Sequence, residues 1–338
     1  ARQSRIGVGR CSREMKPGSQ LIRTIGERCR VCYTCVRDCP AKAIRIAGGQ
    51  AQVLPERCIG CGNCYRVCSQ NAKQVYDSRP DVQALLSSGR RVAAILAPSF
   101  PAEFPELDAA QVAGMIRRLG FSLVCEVAFG ADLVAAEYRK LLERPGDHRW
   151  IGTTCPALVA YVEKYLPELV SNLAPIASPM IAEARVLRRL YGDDLAIVFI
   201  GPCLAKKVEA DGGPGRPEVD AVLTFIELRS LLEAEGIRPE VLGGGFDPPH
   251  PGLGMLFPIS RGILQAARVV EDLLAGDVVA ADGRPAFVQA LNDFAAGALE
   301  ARLLEILCCN GCIMGAGMSV DSPLFRRRTA VSQYARRR

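Results

Sequence analysis

Histidine and tryptophan are almost missing from this chain of 338 residues, with two of the first and one of the second. Two histidines leave little room for mixed Cys/His zinc sites. An aromatic content of 6%, with no aromatic–basic interleaving, argues against a nucleic-acid surface. No apolar run approaches the ~18 residues of a membrane span, and the opening Ala-Arg-Gln-Ser-Arg-Ile-Gly lacks a signal peptide's apolar core. These gaps point to a cytoplasmic protein with neither a membrane span nor a nucleic-acid partner. The net charge of +6 is modest, and much of it sits in Arg326, Arg327, Arg328, Arg336, Arg337 and Arg338. That tail, residues 321–338, reads as a solvated basic helix or linker leading to a further domain. A start at Ala1 rather than Met, and a stop in an arginine run, read as a piece of a longer chain.

What the chain has in excess is cysteine. Fifteen cysteines in a secreted protein would mean disulfides; with no sign of secretion, thiolate ligands for metal clusters are the economical reading. Hydrophobic content of 49% and charged content of 23% are ordinary for a globular protein. The length suits one large domain and one small one.

Residues 1–20 form a lead-in segment whose isolated Cys11 reads as an ordinary thiol. The small domain, residues 21–80, carries the strongest signal. Cys29-Arg-Val-Cys32-Tyr-Thr-Cys35-Val-Arg-Asp-Cys39-Pro40 is repeated 29 residues on as Cys58-Ile-Gly-Cys61-Gly-Asn-Cys64-Tyr-Arg-Val-Cys68-Ser69. Each C-x2-C-x2-C-x3-C run winds three thiolates round one cubane face and aims the fourth at the other cluster. Cys29, Cys32, Cys35 and Cys68 are thus expected to hold one [4Fe–4S] cluster, and Cys58, Cys61, Cys64 and Cys39 the second. Paired zinc knuckles would need no such exchange of the fourth cysteine. Ser69 stands where a proline is usual, which removes no ligand. Strand-like pieces follow both runs, at Ala43 to Ile46 and Lys73 to Tyr76, and the module resembles a bacterial two-cluster ferredoxin of the α+β class.

Past Asp77-Ser-Arg-Pro the pattern becomes βα alternation, which predicts an α/β core with parallel sheets over residues 88–320. Strands are expected at Arg91 to Leu96, Ser122 to Val127, Trp150–Ile151, Leu195 to Ile200, Ala221 to Thr224 and Leu303 to Leu307. Helices are expected at Ala109 to Leu119, Ala131 to Leu142, Pro156 to Tyr165, Ile226 to Glu235, Ile263 to Leu274 and Ala286 to Ala296. The stretch from Gly243, rich in Gly and Pro, reads as a loop. Cys155, Cys203 and Cys308 each fall just past the carboxyl end of a strand, where α/β folds gather ligands. Cys125 lies inside a strand and reads as a core residue. His148 and His250 have no ligand partner at a useful spacing.

The stretch Leu307 to Gly317, Leu-Cys-Cys-Asn-Gly-Cys-Ile-Met-Gly-Ala-Gly, sets three thiols on a glycine-bearing turn. Cys308 and Cys312 bracket three residues and Cys309 and Cys312 two, so the local pattern leaves the ligand pair open. Either pair gives half of a four-ligand site.

Thr153-Thr154-Cys155-Pro156, Gly201-Pro202-Cys203-Leu-Ala-Lys206-Lys207-Val-Glu209 and Cys308-Cys-Asn-Gly-Cys312-Ile-Met-Gly-Ala-Gly resemble, in order, the three signature loops of the [FeFe]-hydrogenase catalytic domain. Ala97-Pro98 and Phe129-Gly130-Ala131-Asp132 also match. The resemblance spans about residues 24 to 320. It implies an H-cluster: a [4Fe–4S] cubane joined through a cysteine to a diiron unit with CO, cyanide and a dithiolate bridge. It assigns Cys155, Cys203, Cys308 and Cys312 as ligands, the last as the bridge. Lys206 takes the place of the lysine that hydrogen-bonds a cyanide, while its neighbour Lys207 reads as a surface residue. Pro98 and Pro202 would shape the pocket wall.

The departures concern protons. The family's relay cysteine is Thr154 here, its relay glutamates are Tyr138 and Leu141, and its serine is Ala174. Methionines that pack on the cluster become Gly201 and Ile306. A threonine hydroxyl is far too weak an acid to replace a thiol near 8.5, so slow turnover is implied, with Glu137 or Glu209 as possible detours. With its ferredoxin and Cys-Cys-Asn-Gly-Cys loop, the chain resembles the sensory branch of the family. The implied function is slow, reversible oxidation of H2 to protons and electrons, reported through the two [4Fe–4S] clusters to a redox partner or a downstream signalling domain. Maturation enzymes would build the diiron unit. The alternatives are a catalytic hydrogenase with another proton path, and a non-enzymatic iron–sulfur carrier or assembly protein.

Overall fold

Two short antiparallel pairs and two single-turn helices form around the cysteine repeats in the computed structural model, which describes residues 20–211, 217–239 and 244–338. Cys11 and most of the lead-in lie outside the described residues. In chain order the elements here are β1 (Ile22–Thr24), α1 (Thr34–Arg37), β2 (Ile44–Ala47), β3 (Gln50–Val53), α2 (Asn63–Arg66) and β4 (Lys73–Val75). β1 pairs with β4, Ile22 opposite Val75, and β2 with β3, Ile44 opposite Val53. Alternation turns Ile22, Ile44, Ala51 and Val53 inward onto Cys35 and Cys64, the third cysteines of the two runs.

The larger part continues with α3 (Arg79–Leu86), β5 (Val92–Leu96), α4 (Phe100–Glu103), α5 (Ala109–Arg118), β6 (Leu123–Glu126), α6 (Val127–Glu143) and β7 (Trp150–Ile151). Then come α7 (Pro156–Tyr165), α8 (Pro179–Tyr191), β8 (Ala196–Gly201), α9 (Ala205–Asp211), β9 (Ala221–Thr224) and α10 (Phe225–Ala234). The last elements are α11 (Gly262–Ala267), β10 (Val278–Asp282), α12 (Arg284–Ala295), β11 (Leu303–Leu307) and α13 (Leu324–Arg337).

One all-parallel sheet has the order β6-β5-β8-β9 and a second the order β10-β11-β7. Every residue of β5 and β8 is buried, as continuous apolar strands covered on both faces must be. Reciprocal capping boxes start two helices: Asp108 with Gln111 at α5, and Thr224 with Glu227 at α10. Within Phe129-Gly130-Ala131-Asp132, the Asp132 carboxylate accepts from Gly252 N and Gly254 N, both at 2.6 Å, and so fixes the loop ahead of α11.

The structure departs from several sequence expectations. The helix expected from Ile263 to Leu274 ends at Ala267, because Arg268 turns left-handed at φ 57; Glu271 leaves the helix path to bind Arg261 Nε and Ala280 N. The helix expected from Ala131 begins four residues earlier, at Val127. Lys207 is buried rather than on the surface, bound to Glu227 at 2.9 Å and to Val222 O at 3.0 Å. The basic tail is helical but docked: Val331 and Arg327 are buried, Arg327 binds Ile313 O at 2.6 Å, and Tyr334 packs on Phe100 at 4.9 Å.

Candidate metal centre

Three strand ends aim their loops at one place. β7 leads to Cys155, the N-cap of α7, whose first residue is Pro156, a suitable place for proline's fixed φ. β8 leads to Pro202-Cys203, and β11 leads straight into Cys308. β11 pairs in parallel with β7, and Gly152 N donates to Leu304 O at 2.9 Å, so the loops bearing Cys155 and Cys308 emerge side by side. The Cys203 loop comes from the other sheet and is stitched on by Gly317 N donating to Pro202 O at 2.8 Å. Gly315 permits that approach, since a Cβ there would stand 2.5 Å from Pro202 O. Pro98 is buried, and Ala97 N before it donates to Ile200 O at 2.8 Å, which sets this proline beside the Gly201-Pro202 turn.

Burial dominates the thiols. It pushes Cys203 up to about 12 and Cys309 to about 11, and it raises Cys155 and Cys312 as well. The negative charges of Cys155, Cys203, Cys309 and Cys312 also oppose one another, while the Lys206 ammonium favours ionisation of Cys155, Cys203 and Cys312. Thiols so placed lose their protons only when a metal takes over the charge. Cys308 differs: its hydrogen bond with Cys61 of the second ferredoxin run raises it and lowers Cys61. One ligand candidate of the small domain therefore touches one of the large domain. Gly62 makes the contact possible, for at φ 71 it packs where a Cβ would meet Leu204 at 2.4 Å and Ala316 at 2.7 Å.

The donor chemistry fits iron–sulfur clusters. All fourteen described cysteines are free of disulfides. Backbone amides point at sulfur in both runs: Ala43 N to Cys39 at 3.3 Å, Ala72 N to Cys68 at 3.3 Å, Gly60 N to Cys58 at 3.4 Å and Ala51 N to Cys29 at 3.5 Å. Such donors stabilise thiolate over thiol. Among the described residues no three Cys, His, Asp or Glu side chains converge closely enough for a single metal ion. Buried Lys73, which sequence reasoning passed over, donates to Thr24 Oγ1 at 2.7 Å, and its charge acts on both Cys35 and Cys64.

Lys206 is buried and held by Ser178 Oγ at 2.9 Å and Glu209 Oε2 at 2.5 Å. Glu209 is therefore engaged with Lys206. Glu137 pairs with Lys140 on the surface and does not reach the site. Thr154 is buried and lines a narrow cavity with Tyr138, Gly152, Ile263 and Glu305. The Tyr138 hydroxyl accepts from Thr153 N at 2.8 Å, and Thr153 Oγ1 donates to Ile176 O at 2.8 Å and Ala174 O at 3.2 Å. These are fixed bonds among weak acids; burial pushes Tyr138 up to about 12.

Glu305 is a buried acid beside the site that sequence reasoning missed. It stands in Leu-Leu-Glu-Ile-Leu with 6% exposure. Burial, then Asp282 and Glu271, push its carboxyl up to about 8 against the pull of Arg261. Two other expectations hold: Cys125 is fully buried in β6, and His250 is exposed in a loop. His148 rests on Trp150 at 3.9 Å between ring centroids.

With this geometry in view, comparison with known proteins is informative. The family model for the iron only hydrogenase large subunit, C-terminal domain, matches residues 90–316, and the 4Fe-4S dicluster domain matches residues 21–69. The chain is 30% identical to iron hydrogenase 1 of Clostridium pasteurianum over 54% of its own length but only 37% of that protein's. It is 25% identical to the periplasmic [Fe] hydrogenase large subunit of Nitratidesulfovibrio vulgaris over 91% of this chain and 89% of that one. The cytosolic Fe-S cluster assembly factor NAR1 of Scheffersomyces stipitis is 28% identical over 41% of this chain and 29% of its own. Among solved structures, [FeFe]-hydrogenase HydA1 from Chlamydomonas reinhardtii superposes with a TM-score of 0.61 at 22% identity, over 77% of this chain and 88% of that one. No helix among the described residues is long and apolar enough to cross a membrane.

Proposed function

Because the chain belongs to the iron-only hydrogenase large-subunit family, we propose that it is an H-cluster protein that oxidises H2 slowly and reversibly and serves as a sensor of H2 or redox state. When bound, the H-cluster would supply the hydrogen chemistry, and two [4Fe–4S] clusters would connect it to a redox partner or downstream signalling domain. Cys155, Cys203, Cys308 and Cys312 would hold the first, and the eight ferredoxin cysteines the other two. The observation that carries this reading is the convergence of three strand-end cysteine loops on one buried ammonium, that of Lys206.

Lys206, fixed by Ser178 and Glu209, would offer a charged donor to an anionic ligand of the bound cluster. Pro98 and Pro202 close the wall. Thr154 holds its proton too tightly to pass it on. Tyr138 and Thr153 are committed to fixed hydrogen bonds. Glu305 is the acid of this region: with its carboxyl at about 8 it is roughly nine-tenths protonated at pH 7, and it lines the same cavity as Thr154. This supports low turnover with Glu305 as the proton holder, and it keeps a catalytic hydrogenase with a non-standard proton path as the nearest alternative. Cytoplasmic placement belongs to the same proposal and is supported by the similarity to an assembly factor named as cytosolic.

Infrared spectroscopy of anaerobically matured protein tests the proposal. Bands of metal-bound CO and cyanide that shift under H2 are expected. If bands fail to form while a control hydrogenase matures normally, the chain is a scaffold carrying cubanes alone. That second reading is favoured by the similarity to a protein named as an Fe-S cluster assembly factor.

A further inference from the structure

Two arginines meet at the seam between the two sets of cysteines. Arg284 opens α12, which is moored to the Leu307–Cys309 loop by Gly283 N donating to Leu307 O at 3.1 Å and to Cys309 O at 3.3 Å. Its Nη2 reaches Cys309 Sγ at 3.8 Å, and it also hydrogen-bonds Cys61. Its Nε is buried without a hydrogen-bond partner. Arg66, in the last turn of α2, is exposed but lies within electrostatic reach of Arg284, Cys61, Cys309 and Asp38.

Setting a second guanidinium group within reach of the partly buried Arg284 is unfavourable unless anions face them. Asp38 provides one carboxylate. Cys61 and the Cys308–Cys309 loop face them as well. Cluster-bound thiolates and sulfides at these cysteines would carry negative charge, and they would also offer acceptors to the orphaned Nε. Guanidinium suits this place because it stays charged when desolvated and has donors to spare.

Resting on the cluster reading above, we propose that Arg284, supported by Arg66, is an electrostatic positioning residue that raises the reduction potential of the cluster held by Cys39, Cys58, Cys61 and Cys64. A cation beside a cluster favours its reduced, more negative form. The contacts of Arg284 are with Cys61 and Cys309, so the first cluster, that of Cys29, Cys32, Cys35 and Cys68, is expected to feel it less. The ferredoxin cluster that touches the large domain therefore becomes the one that accepts an electron more readily.

An EPR-monitored redox titration of matured full-length protein tests this, with Arg284→Gln, Arg284→Lys and Arg66→Gln beside the parent. Arg284→Gln is expected to move one ferredoxin midpoint to more negative potential and leave the other in place, with Arg284→Lys restoring most of the loss. Arg66→Gln is expected to move the same midpoint less far, and it carries the test if Arg284→Gln loses iron. Two unmoved midpoints at full iron content in the variants would overturn the inference while leaving the clusters intact. A parent protein with neither ferredoxin signal would overturn the cluster reading, and this inference with it.

Discussion

Replacing Glu305 by glutamine keeps the side chain's shape and removes its titration, which makes the carboxyl's burial measurable. The group is 6% exposed on β11, with Asp282 and Glu271 as like charges and Arg261 as the opposing one. Its folded value of about 8 stands against an ordinary 4.5. A raised carboxyl binds its proton more tightly in the folded state, so the associated stability is fully present below pH 4.5. It falls at about 1.36 kcal/mol per pH unit up to the folded value and is then spent, a total of about 5 kcal/mol. Between pH 6 and pH 8.5 the parent should therefore lose about 3 kcal/mol relative to Glu305→Gln. Urea unfolding of the two proteins across that range, under anaerobic conditions and at matched iron content, reads the difference directly. Comparing the pair cancels the contribution of Glu183, another buried carboxyl pushed up to about 8. Stability curves that stay parallel from pH 6 to pH 8.5 would refute the reasoning, because a carboxyl that ionises as easily folded as unfolded is not in the environment described.

Further outcomes are expected at the cysteine loops. Thr154→Cys installs a thiol able to titrate near neutral pH, and H2 turnover should rise by about 10²-fold or more if proton delivery limits the rate; an unchanged rate in a hydrogen-uptake assay would remove that explanation. Cys309→Ser should keep the full iron content, whereas Cys308→Ser should lose a cubane's worth on elemental analysis. The opposite result would make Cys309 the ligand.

The cysteine repeats were legible because cluster ligation is written in local spacing, and the strand ends because parallel strands are continuous apolar runs. Pro156 and the Thr224–Glu227 box mark helix starts for equally local reasons. What stayed hidden depends on partners remote in sequence. α8 escaped notice because Glu183 sits on its buried face and breaks the apolar stripe. β10, Val-Val-Ala-Ala-Asp, is a strand through its register with β11. Lys207 resembles its neighbour in sequence, and only Glu227 and Val222 O draw it inside. Glu305 looks like a solvent-facing break in an apolar strand until the β10 and α11 sides close over it.

The parallel pairing of β7 with β11 also governs the order in which the protein can be completed. Each ferredoxin run closes over a short stretch of chain, so those cysteines can meet as soon as residues 21–80 have been made. Cys155 waits for Cys308, which follows a strand made well after the one that delivered Cys155 and laid beside it. Cys203 waits for the Gly315–Gly317 turn to reach Pro202. Contacts between segments so far apart form late. The cysteines of the small domain can thus meet before the large domain has been made, while those of the large site come together only once the chain has been made as far as Gly317.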